Sequence, residues 1–210
     1  MNKMKLLKTT LLLTLVILLV QSCKTLKNSQ GKKKGSTTEL IIFQNGKETS
    51  VNSSSLIVAI DKNEFSLRFF NKRYNSESKE FYSAQIAAFI DKSELDKVKI
   101  GMSKSDLPCF EPGSGMAPDI SGKYESLIFN TSGHHYTIYE NSESKRLNLL
   151  DDSGKLLKLE FDINSLYYDN TAVKMSDTKL DEFYIAFLID RNLNGTIDKG
   201  ELTKLTIKIK

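Results

Sequence analysis

The sequence predicts a mainly β protein, an antiparallel sandwich-like domain with minor short helices, and three observations carry that prediction. Apolar runs of four to seven residues recur along the chain, each closed by a turn signal such as Asn45-Gly46, Asp61-Lys62-Asn63 or Asp151-Asp152-Ser153-Gly154. Asn-Gly and Asp-x-Gly punctuation between such short runs argues for antiparallel pairing. Prolines number only three in 210 residues, all between Pro108 and Pro118, so the strands elsewhere are free of breakers.

The runs follow in order. Residues 40–43 lead into Asn45-Gly46, the strongest short hairpin signal. Residues 56–60, 67–70, 124–129, 135–139, 146–150 and 156–161 follow, and residues 183–189 form a run that is apolar on both alternating faces. Residues 206–210 alternate with period two, as a half-buried strand does. Ser103, three residues before Asp106, carries the start signal of a short helix. The cluster from Pro108 to Pro118 marks a long surface loop or an internal boundary near residues 108–120. A constant offset of 99 residues aligns Ile86, Ala87, Ile90 and Asp91 with Ile185, Ala186, Ile189 and Asp190, and Ser66-Leu67 with Ser165-Leu166. Two similar β halves or chance likeness between apolar strands both account for it.

Composition narrows the function classes. The formal charge is +4, but eight of the thirty basic residues and one of the 26 acidic residues precede Leu40, leaving 22 against 25 beyond it. That balance does not fit a nucleic-acid-binding surface. Apolar residues make up 40% and charged residues 27%, ordinary globular usage that needs no staples to fold. The two cysteines, Cys23 and Cys109, exclude a disulfide framework or a cysteine zinc site.

The first residues read as an export signal. Lys3, Lys5 and Lys8 precede twelve residues, Thr9 to Val20, that are apolar except for three threonines. Twelve fall short of the roughly 20 that a membrane span needs. The run ends in Val20-Gln21-Ser22-Cys23, which resembles the lipobox of bacterial lipoproteins. The resemblance implies a signal peptide over residues 1–22, cleavage before Cys23, and acylation of its sulfur, since a thiol is the nucleophile that takes the diacylglycerol. Each buried methylene of such chains contributes about 0.8 kcal/mol to membrane anchoring. Residues 23–39, rich in lysine and without periodicity, then form a tether whose ends lie roughly 20 Å apart. Its lysines read as a solvated linker before they read as a contact with anionic headgroups, which would attract each by about 1 kcal/mol. The β-rich domain occupies residues 40–210. The expected place is the bacterial cell envelope, lipid-anchored in the outer membrane and facing either the periplasm or the exterior.

Residues 190–201 carry the chemistry. Asp190, Asn192, Asn194, Gly195 and Glu201 reproduce the Asp-x-Asn-x-Asn-Gly-x5-Glu pattern, which resembles the calcium loop of EF-hands. The resemblance implies Ca²⁺ held by Asp190, Asn192 and Asn194 at positions 1, 3 and 5, the Thr196 carbonyl at 7, Asp198 at 9 and Glu201 at 12. Gly195 supplies the sharp turn, and Ile197 at position 8 points inward. The flanks depart from that family, since both favour strands, although Leu202 and Leu205 would suit an exiting helix. A strand-loop-strand or strand-loop-short-helix site is expected. Three acids and two amides give an affinity in the weak extracellular class, about 10⁻⁴ to 10⁻³ M. The competing reading is a polar hairpin turn without metal.

No catalytic constellation is evident, so an enzyme ranks third among the classes. His134 and His135 are adjacent in a run of strand character and so face opposite sides. Gly113-Ser114-Gly115 lacks the nucleophile-elbow spacing. Tyr82, Tyr136, Tyr139, Tyr167 and Tyr168 read as core and strand-pair fillers before they read as a glycan face. The sequence therefore predicts a membrane-anchored, calcium-binding envelope module. A metal-free assembly or scaffold lipoprotein is the alternative. Membrane attachment through the lipid is the expected partner interaction, an envelope protein or glycan remains open, and nucleic acid is not expected.

Overall fold

A computed structural model describes residues 40–51, 56–72, 82–110, 126–128, 147–169 and 171–210. Cys23 with its signal peptide and tether, His134, His135, Tyr136, Tyr139 and the Pro/Gly cluster from residue 111 lie outside the described residues. The chain divides into Met1–Gly35 and Ser36–Lys210, and every described residue belongs to the second unit.

The expected β architecture is present. Five strands form one sheet in the order β2 (Lys47–Val51), β1 (Leu40–Gln44), β4 (Phe65–Lys72), β8 (Leu156–Ile163), β7 (Leu147–Asp151). Four form a second sheet in the order β3 (Ile57–Ile60), β12 (Leu202–Ile209), β11 (Glu182–Asp190), β5 (Ser83–Phe89). A third, smaller sheet joins β10 (Thr171–Lys174), β9 (Ser165–Tyr168) and β6 (Ser126–Ile128). Most pairs are antiparallel, while β12–β3 and β6–β9 run parallel. Parallel neighbours need long connections, and these strands are far apart in the chain.

Local chemistry explains the elements. Asn45 and Gly46 both take positive φ, 52° and 75°, the left-handed pair that a tight two-residue hairpin requires, and Gln44 faces Lys47 in the β1–β2 register. In β4 and β8 alternate residues turn inward: Phe65, Leu67 and Phe69 beside Leu157, Leu159, Phe161 and Ile163. Their outer faces are mostly polar, with Phe70 and Leu156 as exceptions, and register sets Ser66 opposite Asp162 and Arg68 opposite Glu160. Arg68 ion-pairs with Glu160 and Glu48 while its guanidinium lies 3.4 Å from the centroid of the Phe43 ring. The two larger sheets meet face to face through Phe69 on Phe187, 5.2 Å between centroids, and Phe65 on Phe183 at 6.4 Å.

The four-stranded sheet is covered on both sides, which is why both faces of β5 and of the apolar run in β11 are buried. Phe183, Ile185, Phe187 and Ile189 face the sandwich core. Tyr184, Ala186 and Leu188 face a second apolar cluster with Leu95, Val98, Leu107, Phe110 and Ile197. A short helix α1 (Lys92–Lys97) and a 3-10 turn (Lys104–Asp106) belong to that cover. Asp91 caps α1 by accepting from the Ser93 amide at 2.8 Å, and Ser103 caps the 3-10 turn as its sequence signal predicts.

The offset segments pair with each other about Ala87 and Ala186, as neighbours in one sheet. The two halves do not build separate sheets, because both larger sheets draw strands from each half. Burial of alternating faces against a common core favours that interleaving over two thin, half-exposed sheets.

Candidate metal centre

The loop hangs from the second, covered face of the four-stranded sheet. β11 ends in Asp190 and β12 begins at Leu202, opposite Leu188, so the flanks are strand-loop-strand. An exiting helix does not form: Leu205 is taken up by the sandwich core and Leu202 by the second cluster, alternate directions that only a strand provides.

Short polar contacts fold the twelve residues into a closed loop. Asp190, at 0% exposure, accepts the Gly195 amide on Oδ2 at 3.2 Å, while its buried Oδ1 has no hydrogen-bond partner among the described residues. Asn192 Oδ1 accepts the Asn194 amide and Asn194 Oδ1 accepts the Thr196 amide, at 3.1 and 2.7 Å. Both side-chain amides donate to Asp198 Oδ2 at 2.9 Å. Glu201, also buried, accepts the Arg191 amide on one oxygen at 2.7 Å and the Asp198 amide on the other at 3.0 Å, joining the two ends of the loop. The side chains therefore gather over the loop instead of splaying outward.

Gly195 has φ +73°, and a Cβ built there would meet nothing within 4 Å. Backbone conformation, not crowding, reserves the position for glycine. Leu193, at φ 57°, adopts the same region beside it.

A segment distant in sequence braces the loop from below. Ile197 donates to the Met102 carbonyl at 2.9 Å and accepts the Gly101 amide at 2.8 Å, and the Lys104 amide donates to the Gly195 carbonyl at 2.8 Å. Ser103 and Thr196 form an antiparallel bridge within this short ladder. The ladder turns the fully buried Ile197 side chain into the second apolar cluster. It also sets Lys104 beneath Asp190, with Nζ 2.8 Å from Oδ2 and exposures of 1% and 0%. Sequence reasoning missed Lys104, since nothing in its local pattern marks it as buried.

The donor set can be weighed against a metal. Among the described residues no three His, Cys, Asp or Glu side chains form a metal-holding group by themselves. A cation held here would take amide and carbonyl oxygens beside carboxylates, a donor set that suits a hard ion. The unpartnered Asp190 Oδ1 is the feature that fits, because a buried carboxylate oxygen without a donor is costly until a cation or proton satisfies it.

A second recess, an open groove of about 390 Å³, lies beside the β1–β2 turn and is lined by Gln44, Asn63, Glu64 and Asp162 among others. Its polar groups knit turns together: Gln44 donates to the carbonyls of Asp61, Asn63 and Glu64, and Asp162 holds Ser66 and Asn148. Neither protein-family models, nor curated proteins, nor solved structures give a match to this chain.

Proposed function

We propose that this chain is a lipid-anchored, calcium-binding module of the bacterial cell envelope, in which one Ca²⁺ braces the final hairpin. The observation that carries the proposal is Asp190 Oδ1, buried and without a donor at position 1 of a complete ligand pattern. Asp190, Asn192, Asn194, Asp198 and the Thr196 carbonyl would hold the ion, and Glu201 would join by releasing backbone amides it now accepts. Bound calcium supplies charge neutralisation and a common anchor for these oxygens. Because Ile197 ties the loop to the second cluster, fixing the loop also stiffens the cover of the four-stranded sheet. At a free concentration a few times Kd the gain is about 1 kcal/mol. Cys23 would provide the membrane anchor, as its signal sequence implies.

Thermal melting with millimolar calcium and with chelator tests the metal role. The wild-type chain is expected to melt higher with calcium, and Asp198→Ala, which removes a ligand at a half-buried position, to lose that increment. An unchanged wild-type melt would remove calcium from the function. Acyl labelling of wild type but not Cys23→Ala tests the anchor.

A metal-free assembly or scaffold lipoprotein is the second reading. The observation favouring it is that Glu201, Asp198 and the two asparagines already close the loop by their own hydrogen bonds.

A further inference from the structure

We infer that Lys104 is a built-in counter-ion of the metal loop, holding Asp190 while no ion is bound and setting the loop's weak affinity for calcium. The inference rests on the calcium reading above and adds to it a residue that lies 86 positions before Asp190 and outside the ligand pattern.

Lys104 is among the largest fully buried side chains, and a lysine is almost never so placed without a partner. Its partner is Asp190 Oδ2 at 2.8 Å. The position is enforced by the backbone: the Lys104 amide is bonded to the Gly195 carbonyl, and the Ser103–Thr196 bridge and Met102–Ile197 bond fix the register of the residues just before it. Lys104 is thus fastened to loop position 6 by its main chain and to loop position 1 by its ammonium. The same contact orients the carboxylate, committing Oδ2 to Lys104 and Gly195 and leaving Oδ1 as its unpartnered oxygen.

The charges facing this region can be counted. Asp190, Asp198 and Glu201 contribute three negative charges, which the buried Lys104 ammonium offsets in part. Arg191 reaches the Gly200 carbonyl and the Tyr82 ring, and Lys199 is exposed. Replacing Lys104 by an uncharged residue of similar length therefore acts twice in one direction. The calcium-free loop loses the partner of a buried carboxylate, and the calcium-bound loop loses a competing cation.

The experiment is calcium titration of the full chain by calorimetry, with melting in chelator and in saturating calcium, for wild type, Lys104→Met and Lys104→Arg. Lys104→Met is expected to bind calcium about tenfold to a hundredfold more tightly, to melt below wild type in chelator, and to recover in calcium. Lys104→Arg, which keeps the charge, should stay near the wild-type affinity. Wild type that binds calcium while Lys104→Met binds it equally or more weakly would overturn the counter-ion role and leave the calcium site standing. Calcium binding by neither wild type nor Lys104→Met would overturn both. Should Lys104→Met fail to fold even in calcium, the double variant with Asp190→Asn decides. Recovery of calcium-free folding supports the pairing, and no recovery overturns it.

Discussion

Truncating Ile197 asks whether the loop is part of the protein's core or an appendage to it. Its side chain is fully buried in the second cluster, and its backbone makes two bonds to the Gly101–Met102 segment that truncation leaves in place. Ile197→Ala removes three carbon groups, worth about 2.4 kcal/mol at about 0.8 kcal/mol each. A residual cavity of roughly 60 Å³ adds about 1.4 kcal/mol at about 24 cal/mol per Å³. The expected loss is about 3 to 4 kcal/mol, a large share of the 5 to 15 kcal/mol typical of a whole domain. Ile197→Val, which removes one methylene, should lose about 0.5 to 1.5 kcal/mol. Urea denaturation in chelator, followed by far-ultraviolet circular dichroism, measures both, and the alanine variant should melt roughly 6 to 16 °C lower. Two variants within about 0.5 kcal/mol of wild type, the level of an ordinary surface change, would refute the packing of the loop onto the sheet.

Three further expectations follow from the fold. Phe187→Ala removes a fully buried ring that meets Phe69 edge to face between the two sheets, so it should cost about 3 to 5 kcal/mol in urea midpoint analysis; a loss under about 1 kcal/mol would speak against the sandwich. Acid should destabilise the chain: hydrogen bonds from Arg68 and Lys158 hold Glu48 below its ordinary 4.5, and Ser93, Lys92 and Ser153 hold Asp91, Asp96 and Asp151 below 3.8. Because folding depresses these values, their contribution is complete above about pH 4.5 and is lost as the pH falls through the depressed folded values. Urea midpoints should drop between pH 5 and 3, with surface screening keeping the effect small in high salt, and a flat profile would contradict the assignments. Burial pushes the half-buried Cys109 thiol up to about 11, so iodoacetamide at pH 8 should label the Cys23→Ala chain slowly until denaturant is added. Rapid stoichiometric labelling of the native chain would show Cys109 to be open.

Several elements were legible because their causes are local. Asn45-Gly46 can make few turns other than the one observed, and alternating residues in the 156–161 run separate Leu159 from Glu160 whatever the rest of the chain does. The all-apolar run before Asp190 also announced burial on both faces. It could not say what covers the second face. Helix α1 went unread although Asp91 stands three residues before Glu94, a usable capping signal, because six residues are too few to show a helical period. Leu202 and Leu205 share a spacing that helix and strand both allow, and the pairing of β12 with β11 resolved it in favour of the strand.

At the loop the division is sharpest. Residue types along 190–201 determine which oxygens are available and that a left-handed turn falls at Gly195, since both depend on near neighbours in the chain. The loop pattern also turns Ile197 inward, but tertiary structure alone decided which apolar cluster receives it and that Lys104 lies against Asp190. Those contacts join residues about ninety positions apart. Their partners are chosen by which faces the folded sheets leave to be buried, and no local pattern encodes that choice.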